Sequence, residues 1–413
     1  MGERGRRGAA WLRAVLAACV LGLSLSACSS AAKATPPRQI TIGTLYASVG
    51  AYAAASTAQL DGLKFWVSQV NAKGGVFVKP FGRRLHVRLI ALDDQSSPSA
   101  VQSLADQLIQ QDHVNILVSD FGSVLTSEIV PLAQENGVLL FDPTATAPGF
   151  FTESIFGNGD PDIVMTSLPS SALWPRVVAH YLLARHFARI GIIYGANDFT
   201  EAQATTVDNI LGAASVIPAV YQSVPTSTTD YLPYLRAMAK EGVQAVVEFG
   251  YASNDLSFLG QLHASGLHFP FVFTAWPGQE LATFVRSIGP AALNGIFTYL
   301  GPPLRQSRAT FGLDTAQFLA AFGATDRQPV NAIDVAGYVA GLVIQGTLAR
   351  TKGLGEQSLR VAAHALSGHM VTLAGPFALD QAGQQVGEMM PLAELHVVGH
   401  HITYIVMRGG ITQ

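Results

Sequence analysis

The sequence predicts an α/β protein built as two doubly wound parallel-sheet lobes with a cleft between them. Three observations carry this expectation. Short β-branched runs alternate with amphipathic stretches, which is the grammar of parallel sheets covered by helices on both faces. That alternation runs from Gln39 and then restarts at "PRVVAHYLLARHF". Of the 413 residues, those from Gln39 onward exceed what a single hydrophobic core organises, so at least two domains are expected.

The elements follow in order. "QITIGTLYA" reads as a strand leading into a glycine-containing loop, and "AQLDGLKFWVSQVNAKGG" as an amphipathic helix closed by Gly74 and Gly75. "LHVRLIALDD" alternates as a strand and ends on Asp93 and Asp94. "SSPSAVQSLADQLIQQ" opens a helix with Ser97 as N-cap and Pro98 at the first helical position. "VNILVSD", "SVLTSEIVPLAQENG" and "VLLFDP" complete the first unit as strand, helix and strand. The second unit repeats the pattern with strands at "RIGIIYG", "VQAVVEFGY" and "FPFVFTA", and with helices between them. Ligands of open α/β sheets sit outside the carboxyl ends of the strands. The loops to inspect are therefore "LYASVGAY", "SDFGSV", "DPTATAP", "YGANDFT", "GYASND" and "TAWPGQ".

Composition narrows the function. The formal net charge is −3, and more negative without the arginines of the first residues, which argues against nucleic acid as a partner. Charged residues make up only 13% and there are 40 glycines, consistent with large cores joined by tight turns. The most apolar late stretch, "AIDVAGYVAGLVIQGTLA", contains Asp334 and Gln345 and reads as a buried helix. Its Gly337 and Gly341 are spaced for close helix packing.

The N-terminus carries an address. Arg4, Arg6, Arg7 and Arg13 precede "AVLAACVLGLSLSA", too short for a comfortable span and suited to a secretory signal. The only two cysteines are Cys19 and Cys28, so no disulfide is expected downstream. Leu25-Ser26-Ala27-Cys28 resembles the bacterial lipobox, which implies cleavage after residue 27 and lipidation of Cys28. An ordinary signal peptide cleaved at a small-residue site is the alternative. The small, polar, proline-containing residues 28–38 then form a flexible tether. The ten residues from Ser29 to Arg38 reach at most roughly 35 Å, enough to lift a globule clear of a membrane surface.

A family becomes visible in three fragments taken in order. "ITIGTLYASVGAYAAASTAQLDGLKFWVSQVNAKGGV", "IALDDQSSPSAVQSLADQLI" and "GSVLTSEIVPLAQENGVLLFDPTATAP" together resemble the leucine/isoleucine/valine-binding type of periplasmic solute-binding protein. The resemblance runs from about Gln39 to the end, including "AGPFALDQAGQ". It implies lobes crossed by three hinge strands, with residues 39–165 and 295–374 in the first lobe and residues 166–294 and 375–413 in the second. It also implies a monomer without enzymatic activity or cofactor, which closes on a small solute and hands it to an ABC permease. A sensor of the same fold that signals to a membrane partner is the alternative. An extracytoplasmic hydrolase is disfavoured because no nucleophile motif is present.

Local chemistry agrees with part of that picture. Ser123 begins a helix after a strand, where free N–H groups and a hydroxyl can hold an anionic or carbonyl oxygen. Thr144, Ala145 and Thr146 follow the next strand at the same edge. The resemblance assigns Ser123 and this segment to the solute's carboxylate; plain helix capping is the alternative. In the second lobe Phe199, Tyr251 and Trp276 offer an apolar or aromatic wall. The acidic partner for a ligand ammonium, which the resemblance places just after "FVFT", is absent, since this chain reads Ala275-Trp276-Pro277. An unpaired buried ammonium is costly. The expected solute is thus a carboxylic acid or amide without a free α-amino group, with a branched or aromatic amino acid as runner-up. Glu248 and Glu280 are the carboxylates that could replace the missing one. Asp93 and Asp94 read as helix caps rather than a catalytic pair. His396, His400 and His401 lie in a terminal segment that reads as a surface hairpin, and a metal site is not expected there.

Overall fold

The computed structural model describes residues 37–151, 162–305, 307–325, 329–388, 390–399 and 401–407. Cys28, the leader and most of the tether lie outside the described residues, as does His400.

The first half builds one sheet. Strand β1 (Gln39–Tyr46) is followed by α1 (Ala53–Ala72), β2 (Val76–Val78), β3 (Arg83–Asp93) and α2 (Pro98–Asp106). Then come β4 (Ile116–Val118), α3 (Ser123–Glu135), β5 (Leu140–Asp142) and β6 (Ile163–Met165). The sheet order is β2-β3-β1-β4-β5-β6, with every pair parallel except β2 with β3. Ser97 caps α2 as expected, its hydroxyl accepting from the Ala100 amide, with Pro98 in the first turn.

The second half repeats the pattern: α4 (Arg176–Ala184), β7 (Ile190–Gly195), α5 (Asp198–Ala213), β8 (Val220–Val224), α6 (Leu232–Lys240), β9 (Ala245–Phe249), α7 (Ala252–Ser265), β10 (Phe271–Phe273), α8 (Leu281–Ile288) and β11 (Phe297–Tyr299). The chain then returns to the first sheet with α9 (Thr315–Gly323), α10 (Ala332–Leu348), α11 (Glu356–His364) and the ribbon β12 (Met370–Thr372) with β13 (Gly375–Phe377). Their apolar side chains, among them Phe318, Val339, Leu359 and Phe377, share a core with β1 and β4. Strands β14 (Leu392–Val398) and β15 (His401–Val406) finish the second sheet, ordered β15-β14-β11-β10-β9-β7-β8. The terminal hairpin is present as expected, and β14 pairs antiparallel with β11.

The chain thus crosses between the sheets three times, after Met165, after Tyr299 and before Leu392. Two boundaries differ from expectation. Residues 295–374 are expected in the first lobe, yet β11 hydrogen-bonds to β10 and β14 in the second sheet. Likewise Ala374 falls within the β12–β13 ribbon, whose Phe377 still packs on the first core. Both misplacements have one cause: short buried strands next to a crossing carry no periodicity that says which sheet they join.

Helix α10 is buried along almost its whole length against α1. A Cβ on Gly337 would lie 1.9 Å from the Gln59 carbonyl oxygen, and one on Gly341 would lie 2.2 Å from the Trp66 ring. The glycine spacing therefore does mark backbone approach between these two helices.

Candidate functional site

The carboxyl edge of the first sheet is organised by Asp142 at the end of β5. Its carboxylate accepts the Thr144 and Ala145 amides at 3.1 and 2.8 Å and the Ser119 hydroxyl at 2.9 Å. The Ser123 hydroxyl oxygen accepts the Thr146 and Ala147 amides at 3.1 and 3.2 Å, tying the β5 loop to the start of α3. Thr144 Oγ1 donates to Gln59 Oε1 at 2.5 Å and accepts the Gly122 amide at 3.3 Å. Thr144 and the Ala145 amide therefore serve the loop itself. Thr146 Oγ1 is buried without a partner, and the Ser123 hydroxyl keeps its own proton to donate.

The second wall is aromatic. Phe199 lies in the first turn of α5, Tyr251 directly precedes α7, and Trp276 follows β10; all three are buried. Ring centroids stand 5.3 Å apart for Phe199–Tyr251 and 6.5 Å for the stacked pair Tyr251–Trp276. The loop tryptophan is only 1% exposed. It is fixed by its indole N–H, which donates to the Gly250 carbonyl, and by its amide, which donates to Asp255, both at 2.8 Å.

The two walls meet. Tyr52 and Phe121 from the first sheet's loops pack on Tyr251 at 5.3 and 6.2 Å, and Phe121 packs on Trp276 at 5.7 Å. Trp174 completes the set against Phe199 at 5.8 Å. Gly122, at φ +81°, lets the Tyr251 ring approach, since a Cβ there would lie 3.2 Å from it. The Tyr251 hydroxyl is buried without a hydrogen bond of ordinary geometry, facing the Ser123 and Val124 amides at the start of α3. Burial raises its pKa above the usual tyrosine value. Sequence reasoning missed Tyr52, Phe121 and Trp174. The first two lie in loops it had marked, and an eye for large apolar residues there would have found them.

Beside these rings a cavity of about 400 Å³ opens between the two lobes; Tyr52 and Ser123 line it, whereas Thr146, Phe199, Tyr251 and Trp276 do not. Tyr52, Ser123, Val124 and Phe150 line one side, and Asn197, Asp198 and Thr226 the other. Neither Glu248 nor Glu280 lines it. Glu248 is buried on β9 facing Asp255 and Tyr231, and burial followed by the Asp255 charge holds its pKa well above the carboxylate range. Glu280 lines a separate cavity of about 330 Å³, and burial pushes its pKa up to about 7.

The remaining sequence candidates are structural. Asp93 accepts the Ser48 amide and hydroxyl, and Asp94 accepts the Ser96 amide, so the pair braces loops, while Ser97 caps α2. His396 sits 3.4 Å from Glu394. Among the described residues no group of three or more His, Cys, Asp or Glu is placed to hold a metal.

Several carboxyls are buried along both sheet edges. Burial is the main cause that lifts Asp120 to about 8 and Asp142 and Asp255 to about 7, as it lifts Glu280. A raised pKa means that the folded chain binds more protons than the unfolded one. This stabilisation is complete below the unfolded values near pH 4 and is lost as pH rises through 7 to 8. Thermal unfolding followed by circular dichroism is expected to show a melting temperature higher at pH 5.5 than at pH 9, by on the order of 5 °C or more. A flat or rising profile over that window would refute it.

A two-sheet α/β chain with three crossings and an interlobe cavity at the strands' carboxyl edges has the architecture of a two-lobed binding protein. The family described as periplasmic binding protein matches residues 39–398, and the chain belongs to that family. It is 23% identical over 260 residues to a Leu/Ile/Val-binding protein of Escherichia coli K12, covering 63% of this chain and 66% of that protein's length. The branched-chain amino acid transporter substrate-binding protein LivJ of Streptococcus pneumoniae, in complex with isoleucine, superposes with a TM-score of 0.72 at 17% identity, over 89% of this chain and 99% of LivJ. An ABC transporter solute-binding protein from R. palustris, in complex with benzoate, gives 0.73 at 19% identity, over 91% and 98% of the two chains. Among the described residues no helix is long and apolar enough to cross a membrane.

Proposed function

We propose that this chain is an extracytoplasmic, lipid-anchored solute-binding protein that captures a small carboxylate in its interlobe cleft and delivers it to an ABC permease. The lobes divide at the three crossings. Ser123, Thr146 and the first amides of α3 receive the carboxylate; Phe199, Tyr251 and Trp276, joined by Tyr52 and Phe121, hold an apolar or aromatic body.

One observation carries the choice of solute: Glu248 faces Asp255 and Tyr231, Glu280 lines another cavity, and Asp255, the second-lobe carboxylate in contact with the ring cluster, already accepts the Trp276 amide, while Asp198 lines the cavity beside the cluster. A free α-ammonium would be left there without a partner. The benzoate complex of the R. palustris protein supports an aromatic acid, and the isoleucine complex of LivJ supports the amino-acid runner-up. A thermal-shift panel of benzoate, 2-oxo acids and short amides against leucine and phenylalanine tests this reading. The acids are expected to raise the melting temperature through mass action. Stabilisation by the free amino acids alone would overturn it.

The anchor rests on the lipobox at Leu25–Cys28 and the tether after it. Cys28→Ser is expected to move the protein out of the membrane fraction of its host. Unchanged fractionation and unchanged processing would contradict the anchor.

A further inference from the structure

The cavity of about 400 Å³ carries one feature that binding a simple carboxylate does not use. Its lining from α3 is a single helical stripe, Ser123, Val124, Ser127 and Glu128. The stripe starts at the helix N-terminus, whose Ser123 and Val124 amides face the buried Tyr251 hydroxyl. It ends five residues later on a carboxylate, about 7.5 Å along the axis. Across the cavity stands Asp198 at the start of α5, on the other lobe. Its Oδ2 lies 3.0 Å from where a Cβ on Gly149 would stand, so the carboxylate is held against the first lobe's backbone. Glu128 is half-buried, with Oε2 accepting from Gln102 Nε2 at 2.6 Å. No Lys, Arg or His lines the cavity.

The cavity thus joins a carboxylate from each lobe, Glu128 and Asp198, with the amide and hydroxyl donors at the start of α3. An anion is suited to the donor end of the stripe only. Like charges drawn together across a closing cleft oppose closure unless a donor group stands between them. The distance along the stripe is about that of one aromatic ring with a substituent.

We propose that the solute carries a hydrogen-bond-donating group, an amine or a hydroxyl, at the end remote from its carboxylate, and that Asp198 and Glu128 receive it. This rests on the carboxylate reading above and narrows it to a bipolar, ring-sized acid. It differs from an α-amino acid, whose ammonium sits next to the carboxylate and would face the ring cluster.

Calorimetry on the full mature chain tests it with four probes: benzoate, 4-hydroxybenzoate, 4-(aminomethyl)benzoate and benzylamine. In the wild-type protein 4-(aminomethyl)benzoate is expected to bind at least about fivefold tighter than benzoate at low salt, with 4-hydroxybenzoate between them. The advantage should shrink as salt rises. Asp198→Asn should move the two acids in opposite directions, weakening the amine-bearing probe and tightening benzoate by relieving the repulsion; Glu128→Gln should do the same to a smaller degree. If benzoate binds but the amine brings no advantage, or if both variants weaken both acids in parallel, the donor end is wrong while the carboxylate reading stands. If no carboxylate binds, that reading fails, and benzylamine decides the rest. Benzylamine binding that Asp198→Asn abolishes upholds the acidic end, and its absence overturns this as well.

Discussion

Gly337→Ala is expected to destabilise the protein by about 3 kcal/mol or more, because the added methyl has nowhere to go. The Cβ would stand 1.9 Å from the Gln59 carbonyl oxygen, an atom of α1's backbone that cannot rotate aside. The two helices would have to separate along a seam that buries Phe65, Trp66, Tyr338 and Leu342. Scanning calorimetry should show the melting temperature fall by about 10 °C. Gly346→Ala in the same helix is the matched comparison, because its Cβ would meet only the end of the Leu366 side chain at 3.0 Å, which can shift. Gly346→Ala should cost at most about 1 kcal/mol. Equal effects of the two substitutions would show that backbone approach is not what the spacing encodes.

Tyr251→Ala should reduce solute affinity on the order of a hundredfold or more. This side chain touches the rings of Tyr52, Phe121, Phe199 and Trp276 at once, so it joins the two lobes at the centre of the cluster. Its loss also removes a fully buried ring from the core, with a stability cost of about 3–5 kcal/mol. Tyr251→Phe separates the two contributions. It keeps the ring and removes only the hydroxyl that faces the α3 amides, and a loss of about tenfold confined to carboxylate probes is expected. If Tyr251→Phe binds acids as wild type does, the hydroxyl has no part in holding the solute.

Much of the fold was legible because periodicity and punctuation agreed. Ser97 with Pro98, the Gly74–Gly75 stop and the restart after residue 175 each correspond to an element boundary or to the second sheet. Four of the short strands were not legible. β2, β12 and β13 have too few positions to show alternation, and β8, "VYQSV", is a largely exposed edge. At the site, the loops were found by topology and Ser123 by its place at a helix start. What sequence could not show is that Thr144 and the Ala145 amide would be drawn inward by Gln59 and Asp142, partners distant along the chain or set by loop geometry. Nor could it place Glu248 against Asp255, a pairing between the end of a strand and the first turn of the next helix that only the fold brings about.

The central claim is that this cleft takes a carboxylate and rejects an α-ammonium beside it. Calorimetric titration with phenylpyruvate and with phenylalanine tests this most directly, because the two share ring and carboxylate and differ at the carbon between them. An unpaired ammonium costs several kcal/mol, so phenylpyruvate should bind at least about a hundredfold more tightly than phenylalanine. Tight binding of phenylalanine with phenylpyruvate silent would contradict the claim, and would mean that a second-lobe carboxylate, Asp198, Glu248 or Glu280, reaches the ammonium.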